Sequence, residues 1–143
     1  DASCLIALYN IDELDILQEL FTEIFITPEI EKEVKAEKPV WIKIKAVKNK
    51  SKIKELKEIL DLGEASGIAL ALEHEEALLF IDERKGRNVA KTLDIPIIGT
   101  LGILIESKKA GIERVYLQII EKLKDDKFRM SDKLLRKVTE LLK

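Results

Sequence analysis

At 143 residues the chain fits one domain spanning 1–143. Apolar residues make up 46% and charged residues 36%, enough for a packed core and too apolar for a disordered chain. The 25 basic and 27 acidic side chains leave a formal net charge of −2, which excludes a strongly basic nucleic-acid binder, so any polyanion must be met by a local patch.

Residues 3–10, SCLIALYN, read as a short helix with Ser3 at or near its cap. Asp12 is expected to open a second, DELDILQELF, with Leu14, Leu17, Leu20 and Phe21 on one face. TEIFIT (22–27) reads as a buried strand. Thr27 as N-cap and Pro28 at the first helical position then start the helix PEIEKEVKAE. Residues 40–48 alternate apolar and lysine, an edge-strand pattern. The helix SKIKELKEILD follows, with Gly63 expected just past its end as a C-terminal cap, and Glu64 opens the small-residue helix EASGIALALEHE. ALLFID (77–82), ERKGRNVAKTLD, IPIIG (95–99) and TLGILIESKKAG alternate strand and helix, which implies parallel strands joined by a crossover. The remainder is helical: IERVYLQIIEKLKDD, a short extended KFRM, and SDKLLRKVTELLK capped by Ser131.

In open parallel sheets, ligands bind beyond the carboxyl ends of the strands. Asp82 and Glu83 end one strand, Gly99-Thr100 ends another, Glu64 starts a helix, and Asp1 stands just before the first helix. Three ionised carboxylates converging on one rim need a cation or a raised pKa, because two charges about 4 Å apart repel by roughly 4 kcal/mol at an effective dielectric of 20. The one cysteine, Cys4, excludes a disulfide framework and a cysteine-rich zinc site, and the one histidine, His74, excludes histidine-pair motifs. Oxygen ligands alone favour Mg²⁺ or Mn²⁺. Arg84, Lys85, Arg87 and Lys91 stand beside the acids and can hold phosphates.

The segments DASCLIAL, DLGEASGIALA, LLFIDERKGRNVA and PIIGTLGILIESKKAGI resemble the PIN-domain ribonucleases, with the VapC-like toxin branch of prokaryotic toxin–antitoxin systems the most similar group. The resemblance covers nearly the whole chain and implies a single PIN-like domain over 1–143. It also implies an α/β fold of three layers, α/β/α, with a central parallel sheet whose first strand lies upstream of Asp1. It implies a Mg²⁺- or Mn²⁺-dependent endoribonuclease, a toxin often found as a homodimer and inhibited by an antitoxin. Carried over residue by residue, Asp1, Glu64 and Asp82 match the catalytic, metal-binding acids and Ser3 the nearby hydroxyl. The fourth acidic position is not met: Gly99-Thr100 stands there. Glu83 can supply a substitute metal ligand, and Ser3, Arg84, Arg87 and Thr100 are candidate substrate contacts.

Each residue also has a plainer reading. Asp82 can cap the following helix, Glu64 can complement a helix dipole, and Thr100 and Ser3 can serve as N-caps. The missing fourth carboxylate supports an alternative function, a catalytically degenerate PIN-like module that binds RNA or protein without cleavage. A phospho-accepting receiver domain is a third reading, but its further aspartate and lysine are not found in the sequence. No apolar run is long enough to span a membrane, which excludes a membrane partner and leads to the expectation of a cytoplasmic protein. Two Gln and three Asn among abundant Lys and Glu fit a thermophile.

Overall fold

A computed structural model describes residues 2–143. The elements follow in the order α1 (Ala2–Asn10), α2 (Ile16–Leu20), β1 (Ile24–Ile26), α3 (Pro28–Glu33), β2 (Ile42–Ile44), α4 (Lys50–Leu56), α5 (Leu62–Leu72), β3 (Leu79–Phe80), α6 (Arg84–Thr92), β4 (Ile97–Ile98), α7 (Thr100–Lys109), α8 (Tyr116–Asp125) and α9 (Asp132–Leu142). This is an α/β fold built from two strand–helix–strand units with parallel strands. β1 pairs with β2 in the register Ile24↔Ile42, Phe25↔Lys43 and Ile26↔Ile44. β3 pairs with β4 in the register Leu79↔Ile97 and Phe80↔Ile98.

The layering follows from the period of two along a strand. Leu79, Ile81 and Ile97 pack into one apolar cluster, with Ile68 and Ala65 of α5 and Ala90 of α6. Phe80 and Ile98 point the other way, against a second cluster that holds Leu8 of α1, Ile103 and Leu104 of α7 and Leu123 of α8. Helices therefore cover both faces of β3–β4. Among the described residues the expected single sheet is two separate two-stranded pairs. Residues of β1 and β3, but not of β2 or β4, line a cavity of about 690 Å³.

Local signals acted where expected at two helix starts. The Thr27 side chain accepts from the Ile30 amide at 3.1 Å with Pro28 at the first helical position, and Ser131 accepts from the Leu134 amide at 3.1 Å. Two expectations need correction. Asp12 does not open a helix: it adopts φ 60°, a left-handed conformation that aspartate tolerates, and its amide closes a turn on the Tyr9 carbonyl at 3.0 Å. α2 accordingly starts only at Ile16. Gly63 does not end a helix but lies in the first turn of α5, whose N-cap is Asp61. A Cβ there would stand 2.4 Å from Glu33 Oε1, the end of an exposed, flexible side chain that can turn aside.

Candidate active site

The carboxyl ends of β1, β3 and β4 lead into Thr27, Asp82 and Gly99-Thr100. Asp82 follows Ile81, whose amide donates to the Ile98 carbonyl at 2.9 Å and extends the β3–β4 pairing to the edge of the rim. The Asp82 carboxylate is held on both oxygens by one residue. The Thr100 amide donates to Oδ1 at 2.8 Å, and the Thr100 hydroxyl donates to Oδ2 at 2.6 Å. Behind it, Thr100 Oγ1 lies 3.4 Å from Cys4 Sγ. Burial pushes the Cys4 thiol up to about 12, and the nearby Asp82 charge adds to this, so Cys4 keeps its proton across the working pH range.

Arg87, half-buried on α6, donates from Nη1 to the Ile81 carbonyl at 2.8 Å. This pins the peptide preceding Asp82. Gly99 makes the arrangement possible: a Cβ there would meet Asp82 Oδ1 at 2.6 Å and Arg87 Nη1 at 2.9 Å.

Glu64 comes from α5. Asp61 accepts from the Glu64 amide at 2.8 Å and fixes the first turn of that helix. A hydroxyl chain fixes it from below. Ser66 Oγ donates to the Gly63 carbonyl at 2.8 Å and lies 2.7 Å from Thr27 Oγ1. Although charged in its ordinary state, Glu64 is only 6% exposed. Desolvation, followed by repulsion from Asp61 and Glu83, raises its carboxyl to about 7. Its Oε2 would lie 3.3 Å from a Cβ on Gly86, so it sits against the first turn of α6, the helix that Asp82 and Glu83 precede. Glu33 joins the acidic surround from α3. Desolvation and then the Asp61 charge raise its carboxyl, while a hydrogen bond from the Gly63 amide opposes them.

The structure thus brings Asp82 to Thr100, and Glu64 to the α6 turn beside Glu83. Asp1, the first acid of the expected set, lies outside the described residues. Ser3 is exposed on α1. Glu83, Arg84 and Lys85 are exposed around the start of α6, and Glu83 stands at its N-cap position without a side-chain capping bond. Thr100 is fully buried and directed at Asp82, so a direct substrate contact gives way to a hold on the carboxylate. Arg87 likewise has one guanidinium nitrogen committed to the backbone. Among the described residues no three His, Cys, Asp or Glu side chains are grouped closely enough to hold a metal ion. Glu64, Asp82 and Glu83 therefore do not form a complete ligand set by themselves. The donors present are nonetheless carboxylate and hydroxyl oxygens in a negatively charged rim, chemistry that suits a hard divalent cation.

Sequence reasoning missed Glu33, Asp61, Ser66 and the part played by Cys4. A signal existed for Asp61, whose position three residues before Glu64 is that of an N-cap. None existed for the others, which act across the fold.

A family model for the PIN domain matches residues 1–143. The chain belongs to the PIN-domain family. No curated protein and no solved structure matches it. PIN domains are generally nucleases and typically use divalent metal ions. The rim that carries Glu64 and Asp82 in this PIN domain is where such chemistry would be placed. No helix of the described residues is long and apolar enough to cross a membrane.

Proposed function

We propose that this PIN domain is an endoribonuclease that hydrolyses RNA phosphodiester bonds with Mg²⁺ or Mn²⁺. The observation that carries the reading is Glu64, a buried carboxyl driven up to about 7 by burial and by acids around it, at the same helix turn that follows Asp82. Asp82 and Glu64 would hold the ion together with Asp1. When bound, such an ion activates water and neutralises charge developing on the phosphodiester. The chain's own groups do the rest. Thr100 and Arg87 keep the Asp82 carboxylate and its peptide in place. Arg84 and Lys85, exposed at the start of α6, contact the phosphate backbone beside the acids.

The resemblance to the VapC-like branch supports a toxin of a cytoplasmic toxin–antitoxin pair, working as a homodimer and blocked by an antitoxin. Tyr9, 48% exposed beside a groove of about 400 Å³ lined by Leu5, Leu14, Val34 and Ile42, is consistent with a protein partner on that face.

A second reading is a degenerate module that binds RNA or protein without cutting. It is favoured by the neutral, buried Thr100 at the position where a fourth acid is expected. One experiment separates the two. Melting temperature is measured with and without Mn²⁺, and RNA cleavage is assayed, for the wild type and Asp82→Asn. At Mn²⁺ about 100-fold above its Kd the wild type gains about 2.7 kcal/mol, while Asp82→Asn loses that gain and all cleavage. An identical Mn²⁺ response in both proteins removes the metal-site reading. Mn²⁺ binding without cleavage by the wild type selects the degenerate module.

A further inference from the structure

Position 100 carries a second property beyond filling the place of an acid. Thr100 is fully buried, at the first residue of α7. Its backbone and side chain both donate to one carboxylate, and the two bonds end on different oxygens. A hydroxyl has a single proton. The 2.6 Å contact to Asp82 Oδ2 is the shorter of its two contacts and takes it, while Cys4 Sγ lies 3.4 Å away on the other side. An ionised carboxylate offers about four lone-pair sites. Two are used by Thr100, which restrains the rotation of the group and leaves the other two sites for a further ligand.

We propose that Thr100 is a positioning residue that sets the orientation of the Asp82 carboxylate toward a divalent cation. In this chain the position fixes a ligand instead of supplying one. The inference rests on the reading of Asp82 as a metal ligand, and its test has one arm that does not.

The metal-free arm compares melting temperatures of the wild type, Thr100→Val, Asp82→Asn and the double variant. Valine keeps the shape of threonine and the backbone amide but removes the donor. If the hydroxyl and carboxylate act as a unit, the two shifts are non-additive by a few degrees. Additive shifts overturn the proposal, whatever the metal does. The metal arm measures Mn²⁺ affinity by calorimetry. Partners that orient metal ligands typically contribute 10- to 100-fold in affinity. Thr100→Val should therefore weaken Mn²⁺ at least tenfold, and Thr100→Ser, which restores the donor, should stay within about threefold of the wild type. Wild-type affinity in Thr100→Val, alongside loss of binding in Asp82→Asn, overturns the positioning role and leaves the metal site standing. If the wild type binds no Mn²⁺, the metal-directed proposal and the metal-site reading fall together, and the melting arm then decides only whether the hydroxyl and carboxylate are coupled.

Discussion

The Thr27 hydroxyl lies 2.7 Å from the Ser66 hydroxyl, both fully buried, and so joins the end of β1 to the first turns of α5. Ser66 donates to the Gly63 carbonyl, so the proton between the two hydroxyls belongs to Thr27. Thr27 Oγ1 at the same time accepts from the Ile30 amide. One threonine thus caps α3 and anchors the helix that carries Glu64. Ser66→Ala leaves the Thr27 proton without its acceptor in a dry site. The expected cost is about 1–3 kcal/mol. Chemical denaturation checks it: the midpoint should fall while the denaturant slope is unchanged.

Glu64 makes stability depend on pH, with a sign that follows from its raised carboxyl. Between the ordinary value of 4.5 and about 7, the folded protein binds more protons at this group than the unfolded chain does. Stability therefore falls as pH rises through that window, and the deficit is complete above it. At pH 8 Glu64→Gln is expected to be more stable than the wild type by up to about 3 kcal/mol, with the gap closing toward pH 4.5. Urea unfolding of both proteins at several pH values tests this. A constant gap across the range would mean that Glu64 does not titrate differently on folding.

Which features were readable beforehand depended on how far apart their partners lie. Thr27-Pro28 and Ser131 announce helix starts because a cap acts over three residues. The positions of Glu64 and Asp82 at element ends were readable from hydrophobic runs that stop beside them. The hold of Thr100 on Asp82 spans 18 positions, and Thr27 meets Ser66 across 39. Such contacts are set by how strands and helices pack, and no spacing rule reaches them. Gly63 shows the same limit. Its sequence context suggests a helix cap, whereas it lies inside α5, where its carbonyl accepts from Ser66 and is so tied to Thr27. The division of the sheet into two pairs was equally unreadable, since the short strands carry no mark of which edge each partner takes.

Arg114 is the test of how far ion-pair networks stabilise this lysine- and glutamate-rich chain. It reaches Glu13 at 3.3 Å, Asp15 at 3.2 Å and also Glu19, and so ties the approach to α8 to the α1–α2 region. Lys109–Glu106, Lys124–Glu121 and Lys143–Glu140 are, by contrast, surface pairs three residues apart. Pairs of that kind contribute about 0.2–0.5 kcal/mol each. Arg114→Lys should cost more than removing any of them, about 1 kcal/mol, because an ammonium cannot present the fork that serves three acids. The difference from wild type should shrink in 1 M NaCl, where charges are screened beyond about 3 Å.

Gly99 offers the most direct test of the geometry around Asp82. Its backbone, at φ −106° and ψ −178°, is extended and open to any residue, so strain in the main chain does not explain the glycine. Space does. A Cβ would stand 2.6 Å from Asp82 Oδ1 and 2.9 Å from Arg87 Nη1. A free carboxylate would swing aside at little cost, but this one is bonded on both oxygens to Thr100. The Arg87 guanidinium is likewise held on the Ile81 carbonyl. Gly99→Ala must therefore break a hydrogen bond or shift the strand end. The expected loss is about 1–3 kcal/mol, the usual range for overpacking. Combining Gly99→Ala with Asp82→Asn keeps the clash, whereas Asp82→Ala removes the oxygen that the methyl group meets. Thermal melts should accordingly show Gly99→Ala as clearly destabilising in the wild-type and Asp82→Asn backgrounds and much less so in Asp82→Ala. Equal penalties in all three backgrounds would place the conflict at Arg87 instead, and Arg87→Ala would then be the background that relieves it.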